Sequence, residues 1–429
     1  LKAIRGRELT NSRIEFLIRR LRERLWVKPL GYCVLAVAGA LLAHAADFTQ
    51  LSSFVPEIAT ETLETLLSII SNTMLAVATF AVASMISAYA SASGSATPRA
   101  FALVVADDMS QTALSSFIGA FIFSIVATIA LTTGYYGKAG HFVLFLLVLL
   151  TFAVVILTFV RWVDSIARLG RLGTTIKTVE VAATEALDRR RMWPTLGGRS
   201  ASEAVDGGAP VLTEKIGYIQ HIEMEALQSI AENNGLKITV ASLPGSFVSP
   251  GKPIAFVNGD QDAVDADLKA ELVEAFLIKD ERSYDEDPRF GLIVLSEIAA
   301  RALSPGVNDP GTAIAIVGTL VRLFAGWVRP LSDDETKSIQ FDNVYVPELS
   351  PDELFGDAFT AISRDGAQTV EVGVRLQKAF LSLTQLGDAE LAKVAKDQSE
   401  TAFLRAETAL TLSADIEKVK DLAAKVKNA

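Results

Sequence analysis

The sequence is poor in the residues that build disulfides and metal centres. Its 429 residues include one cysteine, Cys33, and three widely separated histidines, His44, His141 and His221. A disulfide within the chain needs two cysteines, and a structural zinc site usually needs four cysteine or histidine ligands. We therefore expect no intramolecular disulfide, no metal site and no cofactor.

The short motifs of common catalytic sites are also missing. The chain has no Gly-x-Ser-x-Gly, no Walker loop and no His-Glu-x-x-His. Carboxylates such as Glu297, Asp309, Asp285 and Asp287 are candidates for an acid/base pair, but acidic surface residues are mostly just solvated. We predict that the protein is not an enzyme.

Charged residues are scarce and unevenly distributed. They make up 21% of the chain against 50% hydrophobic residues, and the mean hydropathy is +0.34, too apolar for a soluble protein of this length. Up to Arg191, 18 Lys and Arg stand against 13 Asp and Glu, so residues 192–429 carry 22 against 37, a net charge of −15. A region this acidic repels nucleic acid. We predict no nucleic-acid partner.

The apolar excess falls into four segments long enough to cross about 30 Å of hydrocarbon. They run from about Leu30 to Ala46, Leu63 to Ala90, Thr112 to Thr133, and Phe142 to Val160. Nine Lys and Arg precede the first segment and several more follow the fourth, whereas the loop after the first segment has none. The positive-inside rule then places both termini in the cytoplasm of a bacterium, with the spans in its inner membrane.

The residues before the first span have an amphipathic pattern. Ile14, Leu17, Ile18, Leu21 and Leu25 recur at helical spacing between arginines. This pattern favours a basic helix lying in the membrane interface. The alternative is a helix that packs on the acidic cytoplasmic region of the same chain.

The second span is more polar than the others. Small and hydroxylated residues fall along one of its faces: Ser68, Asn72, Thr79, Ser87 and Ser91, with Ala76 and Ala83 between them. Such a face either packs closely against other helices or lines a water-filled pore in a ring of subunits. Because the spans carry no ionisable residue deep inside, a path shared between subunits is easier to build than one within a single chain.

A helix, a tight turn and a second helix are predicted around residue 305. The first helix runs from about Arg289 to Ala302, and Asp309 is a natural N-cap for a second helix that begins at Pro310. Helix capping explains this turn fully. A functional alternative is that Ser304, Asn308 and Asp309 form a polar cluster that holds an ion or small ligand.

The rest of the cytoplasmic region reads as α+β. Strands are predicted at 218–222, 237–241, 254–257 and 343–346, and helices at 224–231, 352–363, 367–386 and 399–429. The run Pro244 to Gly251, with two Pro-Gly turns around Phe247-Val248, resembles small β-sandwich modules related to lipoyl and biotinyl carriers. No lysine in residues 217–258 has the setting of the carrier lysine, so we interpret this part as structural.

The chain resembles a known family over most of its length, and one segment carries the family's hallmark. Arg301 to Ala313 reads Arg-Ala-Leu-Ser-Pro-Gly-Val-Asn-Asp-Pro-Gly-Thr-Ala, similar to the hallmark of a bacterial predicted-membrane-protein family catalogued as a domain of unknown function. The similarity extends to the following positions: Pro98-Arg99, Asp108, Gln111, Phe117, Phe121, Asp164 to Ile166, Gly217 to Gln220, and Pro244 to Val248. Where relatives often have a His-His pair, this chain has Arg161-Trp162. The resemblance implies an integral membrane protein and no particular activity.

The sequence therefore predicts an α-helical membrane part with four transmembrane helices and a cytoplasmic α+β region with a small β-unit and a helical C-terminal part. The predicted parts are an interfacial helix (1–29), the spans (30–160), a helix and linker (161–210), the β-unit (211–260) and a mainly helical domain (261–429). The predicted function is a homo-oligomeric pore or transport protein in contact with the lipid bilayer. The alternative is a membrane-anchored sensor or scaffold whose cytoplasmic domain binds a ligand or partner.

Overall fold

The computed structural model describes residues 27–49, 54–95, 97–105, 108–168, 171–204, 207–259, 265–332 and 338–429. Contacts divide the chain into two compact units, Leu1–Thr175 and Ile176–Ala429, called here the N-terminal and the C-terminal unit. The predicted interfacial helix, 1–29, lies outside the described residues except for its last three.

The N-terminal unit is built from helices. They are α1 (Val27–Leu42), a 3-10 helix (Ala43–Phe48), α2 (Thr60–Ser95), α3 (Pro98–Val105), α4 (Asp108–Thr132) and α5 (Lys138–Arg168). Helix α4 is at the centre and packs against α1, α2 and α5. Its Gly119 allows close approach, because a Cβ there would lie 3.1 Å from the Cβ of Tyr32 on α1.

Asp47 joins the end of the first span to the start of α5. Its carboxylate accepts hydrogen bonds from the backbone N–H groups of Gly137 and Gly140, each at 2.7 Å. The Tyr136 hydroxyl donates to the Ala40 carbonyl at 2.7 Å. Because the first N–H groups of a helix have no intrahelical acceptor, Asp47 caps α5 across 90 residues of chain.

Five described helices are long and apolar enough to cross a membrane. Four of them, Val27–Phe48, Thr60–Ala90, Met109–Thr132 and Lys138–Ile166, correspond to the predicted spans. The fifth, Pro310–Trp327, lies in the C-terminal unit, where it packs against neighbouring helices and its Phe324 ring lies 4.5 Å from that of Phe355. The predicted number of four spans is therefore not confirmed by length and composition alone.

The C-terminal unit is mixed α and β. Its helices are α6 (Leu172–Met192), α7 (Met224–Asn234), α8 (Ala266–Glu274), α9 (Pro288–Ala302), α10 (Pro310–Trp327), α11 (Pro351–Asp365), α12 (Val370–Thr384), α13 (Ala389–Ala409) and α14 (Ser413–Asn428). Its strands are β1 (Gly198–Ser200), β2 (Ala209–Val211), β3 (Gly217–Ile222), β4 (Lys237–Val240), β5 (Phe247–Val248), β6 (Ala255–Asn258), β7 (Phe276–Lys279) and β8 (Phe341–Val346).

The strands form two sheets. One has the order β1-β8-β4-β6-β2 and the other β5-β3-β7. Strand β8 pairs in parallel with both β1 and β4, and the other pairs are antiparallel. The sheets thus include β1, β7 and β8 from outside the predicted β-unit of 211–260, and β1 lies within the predicted segment 161–210.

The predicted helix from 399 to 429 is wrong, because the chain forms two helices there. Helix α13 already begins at Ala389 and ends at Ala409, and α14 starts again at Ser413. The break lets α14 fold back against α12 and α13, where Val419 Cγ2 comes within 3.3 Å of a Cβ built on Gly373. A single straight helix could not make both sets of contacts.

Candidate functional site on the second helix

Helix α2 has a buried face and an exposed polar face. The buried face follows the helical period along the whole span: Leu63, Leu67, Ile70, Met74, Ala78, Ala81 and Met85. Ser68, Asn72, Thr79 and Ser87 are all exposed on the other side, and the side chain of Ser91 lies outside the described part of the structure. The predicted polar face is therefore not the surface by which α2 packs against the other helices of its own chain.

The polar side chains on this face differ in how many of their donors and acceptors form hydrogen bonds. The hydroxyl of Thr79 donates to the carbonyl of Leu75, four residues earlier, at 2.8 Å. Such a bond leaves the hydroxyl satisfied even in lipid. Asn72 is different, because its Nδ2 donates to Ser68 Oγ at 3.2 Å while an amide offers two donors and an acceptor with two lone pairs.

The position of Asn72 makes its unpaired hydrogen-bond donors and acceptors unfavourable in free energy. It lies twelve residues after Thr60, about 18 Å along the helix axis, and so near the middle of the span. No charged residue occurs between Thr65 and Ala90. Asn72 is thus the most polar exposed side chain between Thr65 and Ala90 of this long apolar helix.

Hydrogen bonds to the flanking helices hold the Ser304 to Asp309 turn. Asp309 accepts from Thr312 N at 3.1 Å and from Thr312 Oγ1 at 2.5 Å, which confirms it as the N-cap of α10. The hydrogen bonds from Thr312 hold the pKa of Asp309 below its usual value. Asn308 has a left-handed backbone, with φ of 50°.

Ser304 has a second environment besides the turn. Its Oγ donates to the Arg301 carbonyl at 2.7 Å, and Ser304 and Pro305 line a groove of about 460 Å³ together with Arg364 and Asp365. Asn308 is exposed, and neither it nor Asp309 is among the groove residues. The groove therefore contains one of the three predicted residues, and binding of an ion or small ligand by the three together stays a prediction. Ser304 alone belongs to the groove.

A cluster of buried charges in the C-terminal unit was not foreseen from the sequence. Arg190 on α6 and Asp287 before α9 are each 3% exposed. Asp287 accepts from Arg282 Nε at 2.6 Å and caps α9 through Arg289 N and Phe290 N. Burial raises the pKa of Asp287, although Arg282 opposes this. Burial lowers the pKa of Arg190 to about 10, against the pull of Glu286 and Asp287.

Two segments that carry the family resemblance meet at this cluster. Gly245 N donates to the Ile219 carbonyl at 2.8 Å, and a Cβ on Gly245 would collide with the Asp287 carboxylate. The register of β3 against β7 shifts between Ile219 and His221, and His221 Nδ1 lies 2.6 Å from Glu286 Oε1. The Asp287-Pro288 pair was the only local sign, since it has the form of an N-cap followed by proline.

Helix α6 reaches this cluster and also holds α9 and α10. Gly291 on α9 lies so close to α6 that a Cβ there would come within 2.5 Å of Ala183 Cβ. Glu180 bonds Arg322 Nε at 2.8 Å and Lys177 at 3.1 Å. Burial raises the pKa of Glu180, but the bonds from Arg322 and Lys177 outweigh it, so the pKa is lowered.

Comparisons with known proteins agree with the membrane character of the chain. The family model described as "Predicted membrane protein (DUF2254)" matches residues 22–382. Two uncharacterized proteins, from Mycobacterium bovis and Mycobacterium tuberculosis, are 30% identical over 111 residues, which is 25% of this chain and 21% of each relative. The aligned part is thus about a fifth of the length of these relatives. No solved structure matches the chain.

Proposed function

Because the chain belongs to the DUF2254 family of predicted membrane proteins, we propose that it is a homo-oligomeric pore or transport protein of the bacterial inner membrane. In this proposal, the polar faces of α2 from several copies turn toward one another and line a path across the bilayer. The apolar surface of the N-terminal unit contacts lipid.

The exposure of Asn72 carries this proposal. A polar group left unsatisfied in hydrocarbon costs several kcal/mol, so the free donors and acceptors of Asn72 call for a partner from outside the chain. Another copy of α2, or water in a path between copies, supplies that partner. Exposed Ser68, Thr79 and Ser87 extend the same face along the helix and give the path a neutral, hydroxylated lining.

The distribution of basic residues supports the proposed orientation. Arg161 and Arg168 lie in the last two turns of α5 and Arg171 follows it, while residues 47–64, between the first two spans, contain no Lys or Arg. By the positive-inside rule, the first set faces the cytoplasm and the loop faces outward. Both termini and the acidic C-terminal unit are then cytoplasmic.

The test is conductance or solute flux after reconstitution into liposomes. We expect the parent protein to conduct and Asn72→Leu, which removes the amide from the lining, to conduct at least tenfold less. Ile69→Leu is the matched control, because Ile69 is exposed on the same helix but apolar. A well-folded oligomer without conductance would contradict the proposal.

The groove beside Ser304 favours a second candidate function. A membrane-anchored sensor or scaffold would bind a ligand in the C-terminal unit and use the apolar helices as an anchor. Its volume of about 460 Å³ is in the range of small-molecule sites. Ligand binding by a protein that conducts nothing would support this candidate over the pore.

A further inference from the structure

The carboxylate that joins the end of the first span to the start of α5 lies against two glycines. Asp47 Oδ2 accepts from Gly137 N and Oδ1 accepts from Gly140 N, each at 2.7 Å. A Cβ on Gly137 would lie 2.8 Å from Asp47 Oδ1, and a Cβ on Gly140 would lie 2.5 Å from Oδ2. Glycine at both positions therefore lets the carboxylate reach the backbone. We call these three residues, Asp47, Gly137 and Gly140, the clasp.

A half-buried histidine lies beside the carboxylate of the clasp. His44 Nδ1 is 3.4 Å from Asp47 Oδ2. The imidazole ring of His44 also lies against the ring of Tyr135, with 4.3 Å between the ring centroids. Both neighbours favour a positive imidazole, because the carboxylate is negative and an aromatic face attracts cations. Protonation of His44 therefore strengthens its attraction to Asp47.

The 3-10 helix that carries His44 packs against α1 and α5, where other ionisable side chains lie. The ionisable residues of α1, of the turn before α5 and of the first turns of α5 are Lys28, Tyr32, Cys33, Tyr135, Tyr136, Lys138 and His141. Those on α1 precede His44 by about three helical turns or more. Residues 50–53, outside the described part of the chain, contain no ionisable side chain. Lysine and tyrosine keep their charge state between pH 5 and pH 8, so His141 is the alternative source of a pH response.

We propose that His44 makes the clasp proton-sensitive, so that the end of the first span and the start of α5 are held together more tightly at pH 5.5 than at pH 8. A carboxylate has about four lone-pair sites, so Asp47 accepts from His44 and from both glycine N–H groups at once. The element that responds is the 3-10 helix, closed on α5 or released from it. This inference is independent of the proposed pore and stands whether or not the protein conducts.

The direct experiment is hydrogen–deuterium exchange of the full-length protein in nanodiscs, measured by mass spectrometry at pH 5.5 and pH 8. The readout is the protection of peptides that contain Gly137 and Gly140, corrected for the intrinsic pH dependence of amide exchange. We expect about fivefold higher protection at pH 5.5, the factor for one pair of unit charges at about 4 Å in a water-like medium. Equal protection at the two pH values, or lower protection at pH 5.5, would overturn the proposal.

Two histidine variants identify the group that titrates. His44→Gln keeps a polar side chain but cannot be protonated, so we expect it to show the lower protection of pH 8 at both pH values. His141→Gln is the matched control, because His141 is also half-buried and lies in the first turn of α5. It should keep the response of the parent. A response that survives in His44→Gln and disappears in His141→Gln would overturn the assignment.

Two further variants test the partners of His44. Asp47→Asn removes the negative charge but keeps one acceptor, so protection should fall at both pH values and its pH dependence should disappear. Tyr135→Leu removes the ring beside His44 and should reduce the response without abolishing it. If His44→Gln does not fold, Asp47→Asn decides alone. An unchanged pH response in Asp47→Asn would contradict the proposal.

Discussion

Asn72 in the N-terminal unit and Arg190 in the C-terminal unit both keep unused hydrogen-bonding capacity, but in opposite places. Asn72 is exposed on an apolar helix, and Arg190 is 3% exposed, with Nη1 and Nη2 lacking a hydrogen-bond partner among the described residues. The compensation for Arg190 is internal, because Glu286 and Asp287 supply opposite charge within the same unit. Asn72 has no charged group near it in sequence and, within the part of the chain that the structure describes, its side chain bonds Ser68 alone.

This contrast separates stability from assembly. Polar residues of the C-terminal unit should determine whether that unit folds, because they are buried and coupled. Polar residues on α2 should determine whether copies associate, because they contribute little to the packing of their own chain. Each variant below is expected to affect one property and spare the other.

The largest loss of stability is expected for Asp287→Ala. It removes the buried partner of Arg282 and the cap of α9, and it leaves Glu286 alone to balance Arg190, so we expect a loss of about 3–5 kcal/mol in the free energy of unfolding. Denaturant titration of the full chain in detergent, followed by circular dichroism, measures it. Asp342→Ala, at an exposed strand position, should cost less than about 0.5 kcal/mol. Similar losses in both variants would contradict the role of the buried cluster.

A smaller loss is expected for Gly291→Ala. The added Cβ would collide with Ala183 where α6 crosses α9, and overpacking of this kind costs about 1–3 kcal/mol. At Gly326 in α10 a Cβ meets nothing within 4 Å, so Gly326→Ala should be neutral or gain up to about 1 kcal/mol. The same denaturant titration compares the two. Equal responses would show that α6 and α9 are not held in close contact.

Asp309→Ala, which removes the cap of α10, should lower the free energy of unfolding by about 1 kcal/mol, the usual cost of replacing an N-cap residue by alanine. The pKa of Asp309 is lowered by its bonds to Thr312, so folding favours the ionised form. This contribution is present above the unfolded pKa of about 3.9 and is lost as the pH falls through the lower folded value. Asp309→Asn keeps the cap without the charge, so its stability relative to the parent should improve between pH 6 and pH 3. No such convergence would contradict the assigned direction of the shift.

The smallest effect on stability is expected for Asn72→Leu. Its side chain is exposed and makes one hydrogen bond to the described residues, to Ser68, so the free energy of unfolding should change by less than about 0.5 kcal/mol. The mass of the detergent-solubilised particle, measured by light scattering, should nevertheless fall toward that of the monomer. If the variant unfolds more easily while its particle keeps the parent's mass, Asn72 contributes to stability and not to association, which would contradict the contrast between the two units.

Local signals explain what the sequence could predict. Asp309 and Pro310 predict the start of α10 correctly, because helix capping depends on residues that are neighbours in sequence. The polar face of α2 follows from the helical period alone. Whether that face is exposed does not, because it depends on which side of α2 packs against α4.

Long-range contacts explain what the sequence could not predict. The Arg190 and Asp287 cluster joins positions almost a hundred residues apart, and no local pattern links them. The break between α13 and α14 has no proline or glycine to mark it, and tertiary packing of α14 determines its position. Helix α10 has the composition of a span but lies in the C-terminal unit among other helices.

Cross-linking at Thr79 tests the central claim most directly. In a Cys33→Ser background, which removes the single native cysteine, Thr79→Cys is treated in membranes with a short bis-maleimide, and Ile156→Cys on α5, exposed and apolar, is the matched control. The account predicts covalent dimers through Thr79 and few through Ile156, because the polar faces of α2 meet between copies. Dimers through Ile156 without dimers through Thr79 would contradict it.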